Sequence, residues 1–304
     1  MPNRIGILHS GTQGNSDHKR QMDAFIQSLA AAGYVDTQNL DIAAQLWADD
    51  DPAMLGTHAD TLVKTHKVDV FVAAGGSASS KAAQAATKTT STHVVFTSVA
   101  DSVSPAQNMT GICARTSELD AIRLNLLHEL MPTEKQFGAL VNSSRPHYSA
   151  QDKVLHAAAT ALGIQLDYQD INPSGGKPTT TAIDQAFKDW ALRGIPAALV
   201  TADPFFNNHR KQVVDAARVN KIPAIYQWRE FVDASGLMSY GPKLTDAYKL
   251  AGICVGRILD GAQPADIPIV LLTSFELVIN LMTASALGIV IPGTLLARAD
   301  EIIR

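Results

Sequence analysis

What this chain lacks narrows the possibilities first. No apolar run approaches the length of a membrane span: those at 267–272 and 275–281 are short and flanked by polar residues. The opening MPNRIGILHSG has only a few apolar residues before His9 and Ser10, so it does not read as an export leader. Cysteine is scarce. Cys113 and Cys254 stand outside any CxxC or metal-ligand spacing and have mainly apolar neighbours. Both are expected as small buried hydrophobes, which leaves the redox compartment open. Charge of one sign is never concentrated: the net charge is −4, with acids and bases spread along the chain. The absence of a basic block argues against a nucleic-acid partner.

Catalytic and cofactor signatures are equally thin. GGSAS at 75–79 approaches the GxSxG elbow but ends in Ser79, where the elbow has glycine. His128-Glu129 has no second histidine at zinc-binding spacing, and GGKP at 175–178 lacks the P-loop pattern. Gly11-Thr12-Gln13-Gly14 follows the first expected strand, but position 13 is Gln and no third glycine follows. No cofactor, metal or catalytic residue is therefore expected. Two alternatives from other classes stay open: a nicotinamide-dependent or hydrolytic enzyme using the same kind of cleft, and the ligand-sensing domain of a regulator.

What the chain does contain is a regular alternation. At 304 residues and 46% apolar content it is long enough for two lobes. Strands are expected at 4–9, 40–47, 68–73 and 93–97, with helices at 17–32, 52–66 and 79–87 between them. A second series follows, with helices at 117–130, 150–162, 180–193 and 208–220. Its strands are expected at 136–141, 165–170, 197–201, 222–226 and 237–240. A helix at 245–259 and a bend at 261–268 lead to a tail with a strand at 276–280 and helices at 283–287 and 295–303. Alternating β and α units of this kind form parallel sheets with helices on both faces, so the fold class is α/β with two Rossmann-like lobes.

In open α/β sheets, ligands bind beyond the carboxyl ends of the strands. In the first half those positions hold Ser10, Gly11, Thr12, Trp47, Gly76, Ser77, Ser98 and Asp101. In the second they hold Asn142, Ser143, Asp203, Phe205, Tyr226, Trp228 and, after the next strand, Tyr240. Glycines and small hydroxyl residues let backbone N–H groups approach an anion. Asp101 or Asp203 is placed to take an ammonium, and Trp47, Phe205, Trp228 and Tyr240 to wall an apolar or aromatic body. Each also has an ordinary structural role, as turn, helix cap or core ring. Trp47 and Phe206 suit a core, 49–52 a helix start, and Arg229 a partner such as Glu230. His9, His147 and His209 near strand ends read as satisfied or exposed histidines.

Several stretches carry a family resemblance. IYQWREFVDASGLMSYGPKLTDAYKLAG (225–252), RILDGAQPADIP (257–268) and FELVINLMTASALGIVIPGTLLARADEII (275–303) resemble ABC-transporter substrate-binding proteins of the tryptophan-uptake type. AFIQSLAAAGYVDTQNLDI (24–42), KVDVFVAAG (67–75) and NMTGI (108–112) agree, so the resemblance runs nearly end to end. Departures fall on the cleft loops. Gly76-Ser77 stands where Thr-Pro is common, Ser102 where Pro is usual, and Val141-Asn142-Ser143 lacks the frequent Asn-Pro. The family's exported leader and lipid-bearing cysteine are also missing from the sequence.

The resemblance implies a type I periplasmic binding fold whose two lobes close by hinge motion on a small solute. It implies a membrane ABC permease as partner, a monomer, and a periplasmic or surface-anchored location in the native protein. Lobe 1 is expected over 1–115 and 230–268, and lobe 2 over 116–229 and 269–304, with crossovers near 113–117, 228–231 and 268–274. The expected function is a receptor without chemistry of its own. Its ligand is expected to carry a carboxylate, as an aromatic or apolar amino acid or a related aromatic acid does.

Overall fold

Strands form where short aliphatic runs are buried along their whole length. VFVAA at Val70–Ala74 and MTGIC at Met109–Cys113 have every residue buried, as in strands covered on both faces. Helices form where apolar residues recur every three or four positions, as Met22, Phe25 and Leu29 do. The computed structural model describes residues 3–14, 16–49, 51–99, 106–144, 148–172 and 179–304.

In chain order the first stretch holds β1 (Asn3–His9), α1 (Ser16–Ala31), β2 (Leu40–Trp47), α2 (Pro52–Asp60), β3 (Val70–Ala74), α3 (Ser77–Thr87), β4 (His93–Val99) and β5 (Met109–Cys113). Helix α2 runs on into one π-helical turn, Thr61–Thr65. Next come α4 (Thr116–Leu130), β6 (Gln136–Val141), α5 (Tyr148–Leu162), β7 (Gln165–Asp170), α6 (Thr180–Arg193), β8 (Ala198–Val200), α7 (Pro204–Asn208), α8 (Arg210–Val219), β9 (Ala224–Tyr226), α9 (Arg229–Asp233) and β10 (Met238–Gly241). The last part holds α10 (Leu244–Leu259), β11 (Val270–Leu271), β12 (Glu276–Asn280), α11 (Leu281–Leu287), α12 (Gly293–Arg298) and β13 (Glu301–Ile303).

The chain divides into two bodies, Met1–Arg115 with Leu244–Thr273, and Thr116–Lys243 with Ser274–Arg304. The middle crossing therefore falls after Lys243, where the sequence reading placed it near 229. Residues 230–243 stay in the second body because β10 pairs with both β9 and β12 of that body's sheet.

The first body is a parallel sheet in the order β11-β5-β4-β3-β1-β2. Leu8, Phe71, Val94 and Phe96 fill one core with Leu62 and Val63, and burying each large aliphatic or aromatic chain contributes about 1.5–3 kcal/mol. Helix α10 belongs here because it lies against α1. At Gly252 a Cβ would come within 2.8 Å of the Phe25 carbonyl, and at Gly256 within 2.9 Å of the Ala32 methyl. Glycines four residues apart thus let the two helices approach, and Ser28 Oγ donates to the Lys249 carbonyl at 2.7 Å. Cys113 and Cys254, both in this body, are free and buried.

The second body orders its strands β13-β12-β10-β9-β8-β6-β7. All pairs are parallel except β10 with β12. Gly138 in β6 lies under Trp190, whose ring a Cβ would meet at 2.6 Å, and Trp190 Nε1–H donates to Asp167 at 3.1 Å. A charged group is built into this core. Arg123 and Asp120, one turn apart on α4, are both fully buried and paired at 2.5 Å. Arg123 Nε also donates to the Tyr240 carbonyl at 2.7 Å, and Gln151 donates to the other Asp120 oxygen at 2.5 Å.

The structure departs from the sequence reading at several short elements. Strands β5 and β11 and helix α9 were not expected from the pattern. The last expected helix, 295–303, stops after Arg298, where Ala299 turns extended (φ −68°, ψ 129°). The remainder becomes β13, paired with β12. Asp300 secures the change: its N–H donates to the Leu277 carbonyl at 2.9 Å and its carboxylate accepts from Leu277 N–H at 2.8 Å. Removing one member of a buried ion pair strands the other. Arg123→Met is accordingly expected to cost about 3–5 kcal/mol in urea unfolding; an unchanged midpoint would show that Asp120 does not depend on this cation.

Candidate functional site

In the first body, strand register aligns the strand ends from which the candidate site residues start. His9 at the end of β1 pairs with Trp47 of β2 on one side and Ala74 of β3 on the other. The loops that leave these strands therefore start from one row. Ser10 is buried, and its Oγ donates to the Gly75 carbonyl at 2.8 Å. Gly75 sits at φ +83°, and a Cβ there would lie 2.2 Å from Ser10 Oγ, so only glycine fits. Gly76, at φ +105°, precedes Ser77, the first residue of α3, and that helix starts with no side-chain cap. Ser79 Oγ closes back on the Gly76 carbonyl at 2.9 Å.

Ser98 adopts φ +47°, where the pairing of β4 with β5 shifts register, and Asp49 just past β2 adopts φ +47° as well. Non-glycine residues in that conformation are costly and cluster at functional sites. Thr12 is exposed and Gly11 buried. Asp101 and His147 lie outside the described residues.

A ring cluster that the sequence did not reveal backs this row. His9 Nδ1 accepts from Gly11 N–H at 2.9 Å. Its Nε2 must then carry the proton in the neutral form, and it reaches Tyr248 Oη at 3.1 Å. Burial, and secondarily the nearby His18, holds the His9 pKa well below its ordinary 6.5. His18 Nδ1 lies 3.0 Å from the Thr12 carbonyl, which requires a proton on that nitrogen. The rings of His9 and His18 are 4.2 Å apart, and half-buried Trp47 lies against both at 4.6 and 5.6 Å. Burial also raises the Tyr248 pKa, an effect that hydrogen bonding with Thr97 and the Gly75 backbone partly offsets. Nothing in the local pattern marks His18 or Tyr248, since each is a lone polar position on a helix that only tertiary packing brings to β1.

In the second body the strand ends carry a tighter polar lattice. Asn142, past β6, is buried and its amide donates to Asp203 Oδ2 at 3.3 Å. The other Asp203 oxygen caps α7 by accepting from Phe205 N–H at 2.7 Å. Ser143 N–H donates to Asp170 at 3.0 Å, and Ser144 Oγ donates to Asn142 Oδ1 at 2.6 Å. Phe205 packs on His209 with centroids 4.2 Å apart, while Phe206 is fully buried core.

Tyr226 is a core ring too. It is 1% exposed and stacks on Phe231 at 4.8 Å, and burial raises its pKa. Trp228 is buried at the start of α9, and half-buried Tyr240 faces Phe275 at 6.0 Å. Arg229 pairs with Glu301, Glu276 and Asp233, tying α9 to β12 and β13. Asp51 takes the capping role expected at 49–52, accepting from Ala53 N–H at 2.9 Å.

Two mostly parallel sheets, each with polar residues and flat rings at or just past its strand ends, define an α/β protein with the framework of a ligand-binding fold. The sequence model of the family described as ABC transporter substrate binding protein matches residues 14–303, and the chain belongs to that family. A search of curated proteins gives no match. Among solved structures, a conserved domain protein from Vibrio cholerae O1 biovar El Tor is 22% identical with a TM-score of 0.88, over 99% of this chain and 100% of that one.

An ABC domain in complex with L-Trp from Streptococcus pneumonia is 23% identical with a TM-score of 0.83, over 98% and 100%. The 5-methylthioribose transporter solute binding protein from Thermotoga lettingae, in complex with 5-methylthioribose, is 17% identical with a TM-score of 0.67, over 97% of each chain. The fold is thus that of the type I periplasmic binding proteins. The family's members are substrate-binding proteins of ABC transporters. Among the described residues, no helix is long and apolar enough to cross a membrane.

The depressed His9 pKa has a consequence for stability. Below pH about 6.5 the unfolded chain protonates this imidazole while the folded protein does not, so stability rises with pH across that window. The contribution is fully present above pH about 6.5 and is lost as pH falls toward the folded-state value. Scanning calorimetry between pH 7 and 5 should show a falling Tm whose slope is reduced in His9→Asn. An identical slope in the variant would assign the acid sensitivity to other groups.

Proposed function

We propose that the protein is the solute receptor of an ABC importer for an amino acid with an aromatic or apolar side chain, or a related aromatic acid. It works as a monomer in the periplasm or at the cell surface and passes the solute intact to a membrane permease. The observation that carries this reading is the ring cluster of Trp47, His9 and His18 beside the strand ends of the first body. Trp47 offers a flat apolar face, and the two imidazoles behind it are locked by Gly11, Tyr248 and Thr12. A preorganised ring of this kind receives another flat body at little entropic cost.

Support for a carboxylate comes from the same edge. Helix α3 begins after Gly76 without a side-chain cap, and helix starts favour anions. Ser10, Gly11, Thr12, Gly76, Ser77 and Ser98 supply the small polar rim there. In the second body Trp228, Phe205 and Tyr240 are the rings offered to the solute's apolar part. Asp203 has each oxygen engaged by Asn142 or the α7 cap, so it serves the scaffold.

Trp47→Ala is expected to weaken solute binding about 2- to 10-fold, the value of one aromatic pair. Calorimetry with L-tryptophan, L-phenylalanine, L-leucine and indole-3-propionate, followed by mass spectrometry of the recovered solute, checks both parts. Binding that ignores the Trp47 substitution, or a solute recovered chemically altered, would defeat the reading.

A further inference from the structure

We infer that Gln227 is the polar anchor of the solute, and that the group it holds presents a hydrogen-bond donor and an acceptor side by side. The inference rests on the receptor reading above and narrows its solute class from carboxylates in general to α-amino acids. Gln227 follows directly on β9, at the carboxyl edge of the second sheet, between core Tyr226 and buried Trp228. Its side chain is fully buried, yet neither amide Nε2 nor Oε1 has a hydrogen-bond partner. Among the described residues it is the one buried side-chain amide with both ends unmatched; Gln21 and Gln151 each leave a single atom so.

Its main chain is held in place. A Cβ at Gly241 would lie 2.0 Å from the Gln227 carbonyl oxygen and 3.6 Å from Arg123 Nη2, so β10 passes tightly against this residue. Other polar groups of this body have partners of their own: Asn142 with Asp203, Asp203 with Phe205 N–H, and Arg123 Nε and Nη1 with Tyr240 and Asp120.

A buried amide without partners destabilises the state that contains it, and such groups are rare unless another molecule completes them. A carboxamide is satisfied by a partner that accepts from its N–H and donates to its oxygen. A bare carboxylate meets only the first demand and sets oxygen against Oε1. The carboxylate and ammonium of an α-amino acid meet both.

The test is Gln227→Met, near in shape and without the amide, scanned beside wild type after unfolding and refolding to remove copurified solute. The probes are the twenty L-amino acids, indole-3-propionate, 3-phenylpropionate and ribose. The variant's Tm without probe should be equal to wild type or higher, because an unmatched polar group has been removed. An amino acid should raise the wild-type Tm more than its deaminated analogue does, and its affinity should fall about 10- to 100-fold in the variant.

A lower Tm without probe overturns the inference, since the amide then has a partner within the fold. An amino-acid shift undiminished in the variant overturns it equally. If no probe shifts wild type, the proposed solute class fails, and the Tm of the variant without probe still decides whether the amide is unmatched.

Discussion

Parallel pairing of neighbouring strands is the constraint on which the rest of this structure depends. A parallel pair cannot be joined by a tight turn, so the chain must return across the sheet before each new strand. Carboxyl ends therefore accumulate along one edge, and the loops that leave them are brought together without being adjacent in sequence. In the first body the level pairing of His9 with Trp47 and Ala74 turns three separate loops into one surface. Among the described residues the one antiparallel strand pair, β10 with β12, lies in the second body just after the chain re-enters it at Ser274.

Buried polar groups mark how each body treats that edge. In the first, His9 is kept neutral and each ring nitrogen has its own partner, so the ring behind Trp47 is fixed in tautomer and orientation. In the second, Arg123 reaches from α4 to the carbonyl at the end of β10 and is paired with Asp120 where no water reaches either. Ion pairs of this kind hold geometry more than they add stability. Among the described buried side-chain amides, Gln227 is the one with both its nitrogen and its oxygen unmatched.

Much of the architecture was legible because its signals are local. Continuous aliphatic runs marked β1, β3, β4 and β6, and the 3.6-residue period with a following glycine marked α1. The shortest elements with no aliphatic run of their own, β11, α9 and β13, were not, because so brief a stretch carries no pattern. β11 has two residues, and α9 and β13 have five and three. For β13 the sequence even pointed the wrong way: Leu295 to Ile303 reads as helix, but β12 has an open edge that Glu301–Ile303 completes. Pairing across a sheet overrode a local helical preference.

The candidate site divides along the same line. Residues at or just past strand ends, such as Ser10, Trp47, Ser77, Asn142 and Asp203, could be placed there because the end of a strand can be read from its own residues. What each does was decided elsewhere. Asp203 became a helix cap and Tyr226 a core ring because Phe205 N–H and the Phe231 ring happen to lie within reach. His18 and Tyr248 joined His9 from helices 9 and 239 residues along the chain, and the wider of those separations is bridged by a hydrogen bond. The sequence by itself determined the alternation of elements and the family, since both are written in short-range pattern. Only the tertiary structure decided which polar groups are matched, because a hydrogen bond depends on distance in space and not on separation along the chain.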